Sequence, residues 1–144
     1  MSFAEDMNYF YYRSSVSELR AMHGGDYSPG LSYHSMLYLN IIAGTADCTV
    51  SKLAEMLQIT RSAVTIKVNE LKKRGFVEKQ QSGEDGRVWF IKLTPRMADV
   101  YAMFNRLSKQ TEEALRARHD DKEITLFGEM LRETADFEWK EIQE

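Results

Sequence analysis

Arg61, Thr65, Asn69 and Lys72 recur at i, i+4, i+8 and i+11, with Ser62 and Ile66 beside them. On a helix, that spacing gathers one polar and basic face. Arginine can grip guanine through two parallel hydrogen bonds. Serine, threonine and asparagine can reach base edges or phosphates, and an aliphatic side chain can meet a thymine methyl. A second group follows in a polar, glycine-flanked stretch, where Asp85 and Arg87 bracket Gly86. At a hairpin tip, an arginine can enter a minor groove, whose negative potential is strongest over narrow A·T tracts. A neighbouring carboxylate can steady the guanidinium through charge-assisted hydrogen bonds. Either group alone is ordinary solvated surface. The elements that hold them decide between the two readings.

Those elements follow from caps and periodicity. Thr49 caps a short helix, Val50 to Leu57, with Leu53, Ala54 and Leu57 on one face. Gln58-Ile59-Thr60 is a tight connection, and Thr60 caps a helix from Arg61 to Arg74 whose inner face is Val64, Val68 and Leu71. Gly75 ends it at a left-handed position. Two helices so joined have helix-turn-helix spacing, in which the second helix leads into the major groove with its N-terminal residues. Its N-terminus adds backbone donors for a phosphate. The expected DNA contacts are Thr60, Arg61, Ser62, Thr65, Ile66 and Asn69, with Lys72 and Lys73 on phosphates, and Asp85 and Arg87 from the tip. After Gly75 the period changes to two. Strands are predicted over 76–80 and 88–93, with Trp89, Ile91 and Leu93 on one face and Val88, Phe90 and Lys92 on the other, wetter one.

Helices flank this unit. Residues 3–22 carry Phe3, Met7, Phe10, Tyr11, Val16, Leu19 and Met22 at helical spacing, and residues 24–30 form a Gly- and Pro-containing loop. Ser32 caps a helix running to about Ala43, which Gly44 stops. Thr94 as N-cap and Pro95 at the first helical position start a long helix to about Arg118, with Met97, Tyr101, Phe104, Leu107 and Leu115 as its stripe. Asp120 or Asp121 caps a last helix with Ile124, Phe127, Met130, Leu131 and Phe137. The expected fold is mainly α with a small β-hairpin wing: one domain over 1–144, with a winged helix-turn-helix lobe at 32–94. The terminal helices, 1–22 and 95–144, hold more apolar surface than a small domain buries easily, which suggests dimerisation helices.

The net charge of −3 at first argues against nucleic acid, but its distribution matters more. Residues 1–48 carry 2 basic and 5 acidic side chains, residues 49–92 carry 9 and 5, and residues 93–144 carry 8 and 12. The middle third is therefore +4 between acidic flanks, which suits one anion-binding module on an acidic scaffold. No stretch approaches the roughly 20 apolar residues of a membrane span, and the acidic, aromatic N-terminus lacks the order of a signal peptide. A cytoplasmic protein without membrane contact is expected. There is no Gly-rich phosphate loop, nucleophile elbow or paired-histidine motif, so neither an enzyme nor a cofactor is expected.

The stretch Leu53-Ala54-Glu55-Met56-Leu57-Gln58-Ile59-Thr60-Arg61-Ser62-Ala63-Val64-Thr65 resembles the helix-turn-helix of the MarR family of bacterial transcriptional regulators. Leu71-Lys72-Lys73-Arg74-Gly75-Phe76-Val77-Glu78 is similar to that family's exit into the wing, and Asp85-Gly86-Arg87 and Leu93-Thr94-Pro95 to its wing tip and long-helix start. The chain departs from the family pattern at three places. Gly86 stands where a second arginine is frequent, Lys67 where an apolar residue is common, and Met97 where glycine is frequent. The resemblance implies a homodimer built from the terminal helices, bound to a pseudo-palindromic operator whose half-sites lie about one helical turn apart. It further implies repression of nearby genes, released when an effector favours a lobe spacing that no longer fits the operator.

Tyr11, Arg13, His34, Tyr38 and Tyr101 are candidates for lining a pocket for a small aromatic or phenolic anion, against the plainer reading of dimer core. Cys48 is the single cysteine, which excludes an internal disulfide and leaves either a thiol sensor or a small buried residue. His23, His34 and His119 have no close metal-ligand spacing, so a metal-responsive regulator has little support. The main rival class is a winged helix used as a protein-interaction adaptor, which would not need Arg61, Lys72, Lys73 and Arg87 together.

Overall fold

The computed structural model describes residues 2–23 and 30–137. The expected loop over 24–30 therefore lies almost wholly outside the described residues. The element order is α1 (Phe3–His23), α2 (Tyr33–Gly44), α3 (Val50–Leu57), α4 (Arg61–Lys73), β1 (Val77–Gln81), β2 (Trp89–Leu93), α5 (Pro95–Arg116) and α6 (Asp121–Asp136). The chain is mainly helical with one two-stranded antiparallel hairpin, as its periodicity predicts. It divides into two compact units, residues 1–101 and 102–144.

The first unit has its core under the helix-turn-helix. Leu39 and Ile42 of α2, Leu53 and Ala54 of α3, and Val64, Val68 and Leu71 of α4 meet Phe76, Val77, Ile91 and Met97 there. Met97, at the place where relatives favour glycine, is a core residue, so the departure adds packing. Ile91 N–H donates to the carbonyl of Cys48 (2.8 Å), which sews β2 to the segment entering α3.

Each predicted N-cap in this unit but one is made by the expected hydroxyl, while Gly44, expected to stop α2, is its last helical residue and Thr45 is the C-cap. Ser32, Thr49 and Thr60 accept from the backbone N–H of Ser35, Lys52 and Ala63. Gly75 has φ +75°, the left-handed conformation that a Cβ disfavours. Thr94 is the exception. Its hydroxyl donates to the carbonyls of Gly75 (2.8 Å) and Phe76 (3.3 Å), and Thr94 N–H donates to Phe76 O (3.1 Å). The residue predicted as a helix cap is therefore a clasp across the base of the hairpin.

The hairpin starts one residue later than predicted on each strand. Val77 pairs with Leu93, Lys79 with Ile91 and Gln81 with Trp89. Ile91 is buried and Lys92 exposed, as the alternation requires, while Trp89 reaches past the core and is exposed. α1 has no buried residue, and Tyr33 of α2 donates to Glu18 of α1 (3.1 Å). In the second unit, Asp120 and Glu123 form a reciprocal capping box at the start of α6. Arg116 pairs with Glu112 (2.8 Å) and Asp121 (2.5 Å) across the connection from α5. α6 too buries nothing, and Leu126, Phe127, Met130 and Leu131 are exposed along it.

Candidate nucleic-acid interface

The recognition helix α4 presents its polar face as its spacing predicts. Val64, Val68 and Leu71 are buried, and this turns Arg61, Ser62, Ile66, Asn69, Lys72 and Lys73 to the surface, with Thr65 half-buried. Ile66 is 71% exposed, an aliphatic side chain that the core does not use. Thr60 supplies the first capping bond through its own hydroxyl, so its side chain is already engaged at the helix N-terminus. The turn before it depends on Gln58, held at φ +53° as the C-cap of α3. That conformation is costly for a residue with a Cβ. Here its N–H satisfies the last carbonyls of α3.

Lys67, on the same helix, is not a surface lysine. Its side chain is 12% exposed, and the ammonium donates to the buried Ser35 hydroxyl (2.8 Å) and to both Glu70 oxygens (3.1 Å each). A lysine can stand where relatives favour an apolar residue because two partners meet its charge. Ser32 donates in turn to Ser35 (2.9 Å), so the first turn of α2 is linked to the recognition helix through polar groups. The sequence singled out Lys67 as a departure but gave no sign of its partner, which lies 32 residues away.

The wing tip holds the predicted pair. Arg87 is 91% exposed and donates from Nε and Nη2 to the two oxygens of Asp85, each at 3.1 Å, while its backbone N–H donates to the same carboxylate (3.0 Å). These hydrogen bonds, the side-chain ones first, lower the Asp85 pKa below the ordinary 3.8, so the carboxylate is charged at neutral pH. The tip is shaped by two residues that the sequence did not mark. The Ser82 hydroxyl accepts from Glu84 and Asp85 N–H, and the Gln81 amide donates to Gly86 O (2.5 Å). Lys79 of β1 donates to Asn69 Oδ1 of α4 (3.3 Å), bringing the hairpin against the recognition helix. Asn69 was expected as a DNA contact; its amide oxygen serves this link.

The pocket candidates come together in part. His34 and Tyr38 pack edge to face with centroids 5.2 Å apart, and Tyr38 belongs to the core. Tyr101 packs against that core and its hydroxyl donates to Asn40 of α2. Tyr11 and Arg13 are exposed on α1. Cys48 is buried, and desolvation pushes its thiol pKa up against the smaller opposing pull of Lys52. Desolvation, the larger effect, suppresses the thiolate that a sensor would need. Among the described residues, no group of three His, Cys, Asp or Glu side chains could hold a metal, and no helix is long and apolar enough to cross a membrane.

Residues 30–88, which carry the helix-turn-helix and most of the hairpin, match the sequence profile of the MarR family. FabT of Streptococcus pneumoniae, solved in complex with DNA, is 24% identical over 93% of each chain with a TM-score of 0.70. A putative MarR family transcriptional regulator from Listeria monocytogenes, solved with a 26mer DNA, is 17% identical over 94% of this chain and 88% of that one, with a TM-score of 0.60. A MarR-like transcriptional regulator from Thermotoga maritima is 16% identical over 94% and 96%, also at 0.60. At these identities the likeness is one of fold, a winged helix with flanking helices. No curated protein sequence matches the chain.

Proposed function

We propose, from the premise that residues 30–88 are a MarR-family segment, that this chain is a sequence-specific double-stranded DNA-binding transcriptional regulator. The observation that carries the reading is the pairing of two exposed readers on one lobe. Arg61, Ser62, Thr65 and Ile66 open α4, and Arg87 stands clear at the wing tip with its guanidinium steadied by Asp85. α4 enters a major groove and Arg87 the adjacent minor groove, with Lys72 and Lys73 on phosphates.

The active form is a homodimer on a pseudo-palindromic operator. α1 leaves Phe3, Tyr9, Phe10 and Tyr12 exposed, and α6 leaves Leu126, Phe127, Met130 and Leu131 exposed, each set an apolar face that a second copy of this chain would cover. The protein acts in the cytoplasm as a repressor, and a small aromatic or phenolic effector near Tyr11, Arg13, His34, Tyr38 and Tyr101 releases it. Thermal-shift and operator-release screening of aromatic acids tests the effector; silence across the series removes it.

Fluorescence anisotropy with duplex DNA from upstream of the gene tests the main reading. Binding should fall steeply with salt. Arg61→Ala and Arg87→Ala should each weaken it about fivefold or more, from about 1–3 kcal/mol per base-reading contact. If no duplex binds at any salt concentration, the adaptor class replaces this reading.

A further inference from the structure

We propose that Lys79 and Trp89 form a sugar–phosphate seat between the recognition helix and the wing. It would hold the DNA strand that separates the groove read by α4 from the groove entered by Arg87. This rests on the DNA-binding reading above and names a contact site that reading does not use.

The hairpin register supplies the first observation. Lys79 lies opposite Ile91 and Trp89 opposite Gln81, so Val77, Lys79, Trp89 and Ile91 share one face. The Lys79 bond to Asn69 shows that this face turns toward α4. From the base of the hairpin to its tip, its character changes in order. Val77 and Ile91 are buried, Lys79 is half-buried, Trp89 is 48% exposed, and the tip with Arg87 follows.

Charge supplies the second. Lys67 has a carboxylate partner in Glu70, whereas Lys79 meets a neutral amide, and among the described residues no carboxylate lies within ion-pair distance of it. A half-buried lysine whose ammonium meets no counter-charge among the described residues favours an anion at that place. A single exposed tryptophan is unremarkable in itself. Trp89 is set apart by its position between that ammonium and the most exposed arginine of the wing. Its rigid apolar ring can lie on deoxyribose while the indole N–H donates to a phosphate oxygen.

The geometry of the duplex supplies the occupant. Neighbouring major and minor grooves are separated by one sugar–phosphate strand, so a protein that reads both must straddle it. That strand would pass over the side of the hairpin next to α4, where Lys79 meets Asn69.

Two measurements test the seat on the full chain. Trp89 and Trp139 are the two tryptophans, so in Trp139→Phe the emission comes from Trp89 alone. Duplex DNA should lower its acrylamide quenching constant about twofold or more. Separately, Lys79→Met should reduce the slope of log K against log salt by about 0.9 per protomer. It should leave the ranking of operator variants unchanged, because phosphate contacts carry no base preference. Unchanged quenching in a saturated complex, or an unchanged salt slope in Lys79→Met, overturns the proposal. If Arg61→Ala weakens binding while the Lys79→Met slope stays at the wild-type value, the seat alone fails. If the wild-type chain binds no duplex, the reading beneath it fails as well.

Discussion

The helix-turn-helix and the terminal helices are built from equally clear amphipathic stripes, yet they dispose of them in opposite ways. In α3 and α4 the stripe closes on a core within the same chain, with Leu53, Val64, Val68 and Leu71 fully buried. α1 and α6 have stripes of similar spacing and bury nothing. Periodicity thus states which face of a helix will be covered and is silent about what covers it. One region closes its stripe on its own core, and the other leaves its stripe exposed.

The sharpest test of that contrast is a pair of truncations. Leu71→Ala should cost about 2–5 kcal/mol in denaturant unfolding, the usual range for emptying a packed core site. Leu131→Ala on α6 should change the stability of the dilute chain by about 0.5 kcal/mol or less while weakening self-association in sedimentation. Equal losses from both would erase the distinction between the regions.

Lys67 tests whether the recognition helix depends on polar support as well as on its apolar stripe. Lys67→Ala empties the site of the mostly buried lysine stem and removes the bond to the buried Ser35 hydroxyl, and should cost about 1–3 kcal/mol by the same unfolding measurement. Lys67→Met should recover part of that loss, since the Ser35 hydroxyl keeps its bond from Ser32. A smaller effect of about 1 kcal/mol is expected for Gly75→Ala. The added Cβ meets open space there, so the cost would come from the positive φ alone.

The smallest effect concerns pH. The bonds from Arg87 favour the charged form of Asp85, so the stabilisation they give the tip is complete above the ordinary pKa of 3.8. It is lost only as pH falls through the lowered value. The Arg87 Nε–H resonance should therefore stay constant between about pH 5 and pH 8. An inflection inside that window would show that the carboxylate is not held as described.

What the sequence revealed follows the same division. Caps, periodicity and the Gly75 stop located α3 and α4, and the inward spacing of Val64, Val68 and Leu71 determined which side chains of α4 face out. Asp85 and Arg87 were legible because their bonds are local in the chain. Lys67–Ser35, Lys79–Asn69 and Thr94–Gly75 were not, because each joins residues far apart or on different elements. A lysine at an inward strand position was the one available sign of Lys79. Thr94 does stand at the N-cap position before Pro95, but its hydroxyl donates across the hairpin base instead of capping the helix.

That clasp at Thr94 has a consequence for how such a protein can change over generations. The chain leaves the lobe at Gly75 and rejoins it at Thr94, and the two points are bonded to each other. Phe76, Val77 and Ile91 belong to the core and Lys79 bonds Asn69 of α4, so only the tip over 82–87 projects beyond the lobe. Insertions, deletions and side-chain exchanges at the tip can be sampled without refolding the lobe, so preference at the minor groove can drift separately from preference at the major groove. The clasp fixes the base of the wing while its tip is free to vary, and Thr94 helps to hold that base.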